Sequence, residues 1–417
     1  MARDTLVLCA LETTAYPYPS RDRQGAVASH DGSLAENRSL TVAARFVATV
    51  PGHYSGLMLS EESISSDEIG SADRRSILGR SPEIVEGYLR EMNEPAFRAR
   101  QVIEWIYRHG AGEFSEMTNL SKRLRQRLTD DWTLFESQIV NRAESSDGTV
   151  KLLLQWRDRS TSECVLIPDG VRRTACISTQ VGCPVGCRFC ASGIDGLQRQ
   201  LSAAQIVEQA MRVQQLCGRE DRLSNVVFMG LGEPLANFDA TVDALRTINA
   251  DWGLNVGARK ITVSTVGLAP RIRQLADLKM QITLAISIHA PDDDLRKQLI
   301  PWAAATSLDE LIDAGRYYFQ KTGREVTLEY VLLAGVNDQP DHARGLARLS
   351  RRLRSTVNLI PYNPVPELPY RCPSPSAMQS FLLGLREAGV NVHLRRSRGL
   401  DIDGACGQLR RREALKR

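Results

Sequence analysis

Apolar positions recur at helical spacing over residues 81–128 and at strand spacing beyond about residue 149, so the period itself divides the chain. Ser81-Pro82-Glu83 reads as an N-cap followed by proline in the first turn, where its missing N–H costs nothing. A second helix is expected from Pro95. It turns Val102, Ile103 and Ile106 inward until Gly110 stops it. A third is capped by Ser121, with Leu120, Leu124 and Leu128 four residues apart and Lys122, Arg123, Arg125 and Arg127 on the other face. Together these predict a small helical domain over residues 79–140. A solvated basic face accounts for those four cations as well as RNA contact does.

Two antiparallel strands, 149–156 and 163–167, are expected in a β extension spanning 141–171, separated by Arg157-Asp158-Arg159-Ser160. From residue 172 short β-rich runs alternate with helical stretches: 174–178, 225–229, 260–265, 282–287, 325–332, 356–360 and 391–394. Between the first two runs lies a helix over 203–216, where Ser202 and Gln205 have capping-box spacing. Strand–helix alternation implies parallel βαβ units, hence an α/β barrel or a doubly wound sheet over 172–395. Residues 1–78 show no sustained period and include the polar run 60–68. They are expected to be a disordered extension, within which Met58 is a candidate alternative start.

The 417 residues suit two or three folding units. With 42% apolar and 24% charged side chains, wholesale disorder is excluded. No apolar run approaches the roughly 20 residues of a membrane helix. The apolar residues 6–11 fall short of the ~7–15 of a signal-peptide core. The expected location is the cytoplasm. The net charge of +4 is uneven: residues 391–417 carry eight Lys and Arg against three acids, a net of +5, while the rest of the chain sums to −1. Both a polyanion-binding tail over 396–417 and a merely solvated end fit that charge.

Nine cysteines in so long a chain do not make a disulfide scaffold, but four of them fall within residues 176–190. Cys183-Pro-Val-Gly-Cys187-Arg-Phe-Cys190 is a CxxxCxxC triplet. Three thiolates on one loop can each take an iron of a cubane cluster, leaving the fourth iron open to another ligand. Structural zinc would want four ligands, and no second pair of cysteines has zinc spacing. Segments of unusual composition follow several strands: Gly230-Leu-Gly-Glu-Pro234, Ser264-Thr-Val-Gly267, Ser287-Ile-His-Ala-Pro291 and Tyr362-Asn-Pro364. Ligands bind at that edge of parallel α/β proteins because the loops converge there. A dinucleotide fingerprint fails, since Leu235 stands where the third glycine belongs, and there is no Walker lysine loop.

With these motifs the sequence resembles the radical S-adenosylmethionine enzymes, and within them the RlmN/Cfr family of RNA adenosine methyltransferases. The segments that carry this are Cys176-Ile-Ser-Thr-Gln-Val-Gly-Cys183, Met229-Gly-Leu-Gly-Glu-Pro-Leu-Ala-Asn237, Ser287-Ile-His-Ala-Pro291, Asn358-Leu-Ile-Pro-Tyr-Asn-Pro364, Arg398-Gly-Leu-Asp-Ile-Asp-Gly-Ala-Cys-Gly-Gln408 and, in the helical domain, Phe97-Arg-Ala-Arg-Gln-Val-Ile-Glu-Trp-Ile-Tyr107 with Met117-Thr-Asn-Leu-Ser121. They cover residues 80–410. The resemblance implies an α/β fold, a partial (β/α)6 barrel behind a small helical domain. It implies that Cys183, Cys187 and Cys190 bind one [4Fe–4S] cluster whose open iron is chelated by S-adenosylmethionine, and that Gly232, Glu233, Ser264, Ser287, Ile288, His289 and Asn363 line the cofactor site.

Adenine C2 is electron-poor and cannot attack a sulfonium methyl, which is why such a methylation needs radical chemistry. The resemblance implies two molecules of S-adenosylmethionine per turnover. The first methylates Cys406. The second is cleaved reductively to a 5′-deoxyadenosyl radical that takes hydrogen from this methyl, so that its carbon adds to the adenine ring. Cys176 then assists proton removal and attacks the Cys406 sulfur, releasing RNA as a disulfide forms; Glu163 matches the family's general base. The implied substrate is 23S ribosomal RNA at the peptidyl-transferase centre and, in some relatives, adenosine 37 of tRNA. A flavodoxin or ferredoxin would donate electrons, and no membrane is involved. Three alternatives stand beside this: Cfr-type methylation at C8, a radical enzyme acting on a small molecule, and a non-catalytic iron–sulfur or zinc RNA-binding protein.

Overall fold

A computed structural model of the chain describes residues 75–218 and 221–410. The expected disorder of the first 74 residues, the alternative start at Met58, Cys9, Arg411 and Arg412 all lie outside the described residues. Order begins earlier than the helical period suggests. Strand β1 (Arg75–Ser76) pairs in parallel with β2 (Trp132–Thr133), and Ile77 and Leu78 are buried. The segment 75–78, read from sequence as extension, thus belongs to the helical domain. Its helices are α1 (Pro82–Glu91), α2 (Phe97–Tyr107) and α3 (Lys122–Asp131). Ser121 caps α3 by accepting from the Leu124 N–H at 3.1 Å. Val102, Ile103, Ile106, Leu120, Leu124 and Leu128 are all buried, as their spacing requires.

The rest is built on one ten-stranded sheet. An antiparallel meander of β3 (Gln138–Glu144), β4 (Val150–Gln155), β5 (Thr161–Asp169) and β6 (Arg172–Cys176) opens it. Strand β6 is also the first of seven parallel strands, followed by β9 (Asn225–Phe228), β10 (Ile261–Thr265), β11 (Thr283–Ser287), β12 (Val326–Leu332), β13 (Ser355–Pro361) and β14 (Val392–Leu394). A two-stranded ribbon, β7 (Gln180–Gly182) with β8 (Leu197–Gln200), stands apart. The helices α4 (Ala203–Leu216), α5 (Phe238–Asn249), α6 (Ala269–Asp277), α7 (Asp293–Leu299), α8 (Leu308–Thr322), α9 (Pro340–Ser350) and α10 (Pro375–Glu387) alternate with the parallel strands.

In the sheet the strands lie in chain order from β3 to β14, apart from the ribbon. That order lacks the reversal of a doubly wound sheet, so of the two expected architectures the open, barrel-type arrangement is found. Two expectations need correction. β3 was not anticipated, because its residues alternate little and are largely exposed at the sheet edge. The boundary expected at residue 140 therefore falls inside a strand. The helical domain and the sheet share one continuous hydrophobic cluster, in which Tyr107 meets Trp252 edge-on at 6.0 Å. The buried Glu208 of α4 brackets the junction: it accepts from the backbone N–H groups of Glu136 and Ser137, both at 2.8 Å, and from the Ser137 hydroxyl.

Candidate active site at the strand ends

The CxxxCxxC loop is closed at its base by the β7–β8 ribbon, where the Cys183 N–H donates to the Gly196 carbonyl at 3.1 Å. Its cysteines pack against a small apolar cluster of Val185, Phe189, Leu299, Ile300 and Tyr362, separate from the main core. Burial pushes the Cys183 thiol up to about 12. It holds Cys187 well above the ordinary thiol value, and Cys190 above it too; the neighbouring cysteines add to this at Cys183 and Cys187. Thiolates become stable here only beside strong positive charge, which is what an iron cluster brings. Among the described residues no three donors converge as ligands of a single ion would. A cubane does not ask them to, since each thiolate takes its own iron.

All three cysteines line one cavity over the strand ends, together with Gly232, Glu233, Ser264, Ser287, His289 and Asn363. Two polar atoms in its wall, Glu329 Oε2 and the Tyr362 hydroxyl, are buried with no hydrogen-bond partner. Orphaned groups of that kind facing a cavity fit a polar ligand such as S-adenosylmethionine. Glu233 is 2% exposed and accepts from the Leu235 N–H at 3.0 Å and the Val266 N–H at 2.8 Å. Desolvation raises it to about 7, against the pull of these bonds. Gly232 has φ +105, and a Cβ there would meet the Gln180 side chain at 2.7 Å. The glycine lets Gln180 Oε1 reach the Glu233 N–H at 2.8 Å.

His289 sits in the left-handed region at φ 56 and takes the Val331 N–H on Nδ1 at 3.0 Å. Burial and nearby Arg296 drop its pKa to about 3, so the ring is neutral, with its proton on Nε2. Ile288 differs from the rest of the expected set. Its side chain is wholly buried in the core and is not among those lining the cavity.

The tail brings the remote cysteines together. Cys406 lines the cavity that holds the three loop cysteines and also a second one, whose wall includes Cys176, Arg172, Arg395, Arg396 and Arg398. It is exposed, but the space it is exposed to is these two cavities. The crowding raises its thiol, with Arg395 opposing. Cys176 is buried at the end of β6 and raised to about 12 by desolvation, with a like-charge contribution from Cys406. Asn363 donates to the Cys406 carbonyl at 2.9 Å. Glu163 lines neither cavity. It is buried on β5, paired with Lys151 at 3.2 Å, two residues from the Val165 that registers with Cys176.

The sequence reading missed Arg296, Glu329 and Arg395. Arg296, 1% exposed, donates to the Thr306 carbonyl at 3.1 Å and to the Val266 carbonyl, tying down the loop after β10. Glu329 could have been flagged as the one charge in the apolar run of β12. Arg395 lines both cavities, and as one arginine among many it carried no sequence signal.

Parallel strands in chain order, a cysteine triplet on the first strand-end loop and a polar cavity over the sheet edge define the class of radical S-adenosylmethionine enzymes, and that superfamily matches residues 177–346. Residues 76–134 match the N-terminal domain of ribosomal RNA large subunit methyltransferases. The chain is 42% identical to the probable dual-specificity RNA methyltransferase RlmN of Rhodopirellula baltica, over 83% of this chain and 94% of that one. It is 44% identical to that of Staphylococcus aureus, over 86% and 98%. A crystal structure of a radical SAM methyltransferase from Sphaerobacter thermophilus matches with a TM-score of 0.78 at 43% identity, covering 81% of this chain and 99% of that one. The chain belongs to the RlmN family of radical S-adenosylmethionine RNA methyltransferases. A [4Fe–4S] cluster and S-adenosylmethionine come with that membership. No helix among the described residues is long and apolar enough to cross a membrane.

Proposed function

We propose that this chain methylates C2 of an adenosine of 23S ribosomal RNA at the peptidyl-transferase centre, and adenosine 37 of tRNA, with Cys406 as the carrier of the carbon and Cys176 as the thiol that releases the product. One observation carries the reading: Cys406 opens on both cavities, whereas Cys176 opens only on the arginine-lined one. A sulfur that must meet a cofactor first and an RNA base second belongs at such a junction. The dual-specificity names of the relatives support the two RNA classes.

Cys183, Cys187 and Cys190 would hold the cluster, with Gly232, Glu233, Ser264, Ser287, His289 and Asn363 around the cofactor. When bound, these groups supply the methyl donor and the hydrogen-abstracting chemistry, fed by an external donor such as a flavodoxin or ferredoxin. Glu233 accepts the cofactor's ammonium on lone pairs its two backbone bonds leave open. Asn363 fixes the backbone of Cys406 beside it. Cys406 Sγ bears the methyl carbon and then the bond to RNA. Once the adduct has lost its ring proton and one electron, the latter returned to the external electron carrier, Cys176 Sγ attacks Cys406 Sγ and the sulfur–carbon bond to RNA breaks. The freed carbon takes up a proton as the new methyl group, and the two sulfurs end as a disulfide that an external reductant must reopen. Glu163, on the strand next to that of Cys176 and paired with Lys151, lines neither cavity, so any base role it has is exercised through Cys176 and not on the RNA directly.

The test is anaerobic incubation of the cluster-loaded chain with rRNA and tRNA and labelled S-adenosylmethionine, followed by mapping of the methylated atom. Methyl at C8 in place of C2 would overturn the regiochemistry. Cys176→Ala should remain covalently joined to RNA on denaturing gels, and the Cys176→Ala/Cys406→Ala double variant should not. Normal methylation by both single variants would end the methylcysteine reading.

A further inference from the structure

The segment that carries Cys406 has little regular structure of its own. Gly399, Asp403 and Gly407 all take left-handed backbone angles, and the hydrogen bonds within it only close short turns, among them one 3-10 turn at Leu400–Ile402. Ordering such a loop costs conformational entropy that interactions elsewhere must offset. Beside the ties to the loop after β13, where Asn363 donates to the Cys406 carbonyl and Gln408 Nε2 to the Pro364 carbonyl, both at 2.9 Å, two sets of them do so, on opposite sides of Cys406. Upstream, the segment is fastened to the meander: Asp147 accepts from the Gly399 N–H at 3.0 Å, Arg398 pairs with Asp169 at 3.2 Å, and Lys151 Nζ donates to the Asp403 carbonyl at 3.2 Å. Downstream, it is fastened to the cysteine loop. The Ala191 N–H donates to the Gly407 carbonyl at 2.8 Å, and Ser192 Oγ donates to the Leu409 carbonyl at 2.9 Å.

The downstream side ends in Arg410, whose Nε and Nη2 both reach the Asp195 carboxylate at 3.1 Å while Nη1 reaches Glu367 at 2.9 Å. Only 16% of the Arg410 side chain and 24% of the Asp195 side chain are exposed. A two-pronged guanidinium–carboxylate pair of this kind fixes orientation as well as distance.

We propose that Arg410, clasped by Asp195 and Glu367, is a positioning residue that holds Cys406 at the junction of the two cavities, so that cofactor cleavage is coupled to carbon transfer. This rests on the role proposed above for Cys406. With the clasp open, the tail swings from the cysteine loop about its upstream fastening. The three loop cysteines and the polar residues placed around the cofactor lie off the tail and stay where they are, although Cys406, Gly407 and Leu409 leave that cavity's wall. Cleavage then continues while Cys406 is out of place, and each methyl group delivered consumes more S-adenosylmethionine.

Hydrogen exchange and stoichiometry on the full chain with its cluster test this. In Arg410→Ala and Asp195→Asn, the Ala191 amide and the amides of 404–409 should exchange about three- to tenfold faster than in the wild-type chain, the order expected for removal of one partly buried ion pair. The ratio of 5′-deoxyadenosine formed to methyl transferred should rise in both. The cluster absorbance should not change, and the double variant should be no worse than either single one. Arg410→Lys, which keeps the charge but not the fork, should fall between. Exchange within twofold of wild type together with an unchanged ratio would overturn the proposal. If instead the wild-type chain never carries S-methylcysteine at 406, the role of Cys406 falls, and exchange alone still decides whether the clasp holds the tail.

Discussion

A buried thiol is unreactive until something stabilises its anion, and the three loop cysteines meet this problem together. Cys187 is held well above the ordinary thiol value by burial, with Cys190, Cys183 and Glu233 close by adding to it. Replacing it with alanine should abolish the 4Fe–4S absorption and reductive cleavage while leaving the far-ultraviolet circular dichroism unchanged, since the cysteine loop packs on an apolar cluster apart from the main core. Glu233 gives a pH-dependent counterpart. Its carboxyl is raised to about 7, so it is largely protonated at lower pH and ionised above, and only the ionised form attracts an ammonium. S-adenosylmethionine should therefore bind more weakly as pH falls through 7, by about tenfold for each unit below it, and Glu233→Gln should bind weakly at every pH. A titration of affinity by equilibrium dialysis reads both. Of these residues the cysteines were legible from spacing, because chemistry at one loop leaves a local pattern, and Glu233 only through the resemblance of its strand-end segment to the family. Arg395 was not legible, because its neighbours come from distant strands and only the fold brings them together, and Glu329 showed only as a lone charge in an apolar run, with nothing local to say what it faces.

The elements that announced themselves did so by local rules. Ser202 and Gln205 form the reciprocal cap that their spacing suggests, and the runs expected over 260–265 and 325–332 are strands within a residue at either end. β3 stayed hidden. Arg142 and Glu144 lie exposed on one face and blunt the sheet edge, while Ile139 and Val140 are exposed as well, so the apolar positions do not mark a buried face. Helix α4 also does something no period reveals: Glu208, in its middle, accepts three hydrogen bonds from residues 136 and 137. Glu208→Ala would strand those donors in a buried place, and we expect a loss of about 3 kcal/mol in unfolding free energy. Urea denaturation measures it, and a loss below about 1 kcal/mol would mean that water replaces the carboxylate.

Across the whole molecule the cationic excess of the tail has two uses. Arg410, which by charge alone is free to meet phosphate, is committed to Asp195 and Glu367. Arg396 instead borders the cavity that holds Cys176, together with Arg172 of β6, which is not part of the tail. Changing both to Gln should weaken RNA binding and lower the slope of log affinity against log salt by about 0.7–0.9 for each phosphate no longer neutralised, with cofactor cleavage retained. An unchanged slope would make them ordinary surface charges. The division into a helical unit and an α/β unit was legible because the period of the apolar residues changes between them. Their union into one core was not, since it rests on side chains such as Tyr107 and Trp252, far apart in the chain, meeting across the junction.

The order of the strands has a bearing on how the chain is made. Because the sheet is laid down from β3 to β14 in the order of synthesis, each strand leaving the ribosome finds its partner already waiting, and none must be held in reserve for a neighbour still to come. The meander, with its short-range antiparallel pairings, gives the first edge quickly, and the slower parallel strands are then added one at a time. The segment bearing Cys406 docks on both the meander and the cysteine loop, so it comes last. A nascent chain thus closes the junction of its two cavities only after the sheet beneath it is whole.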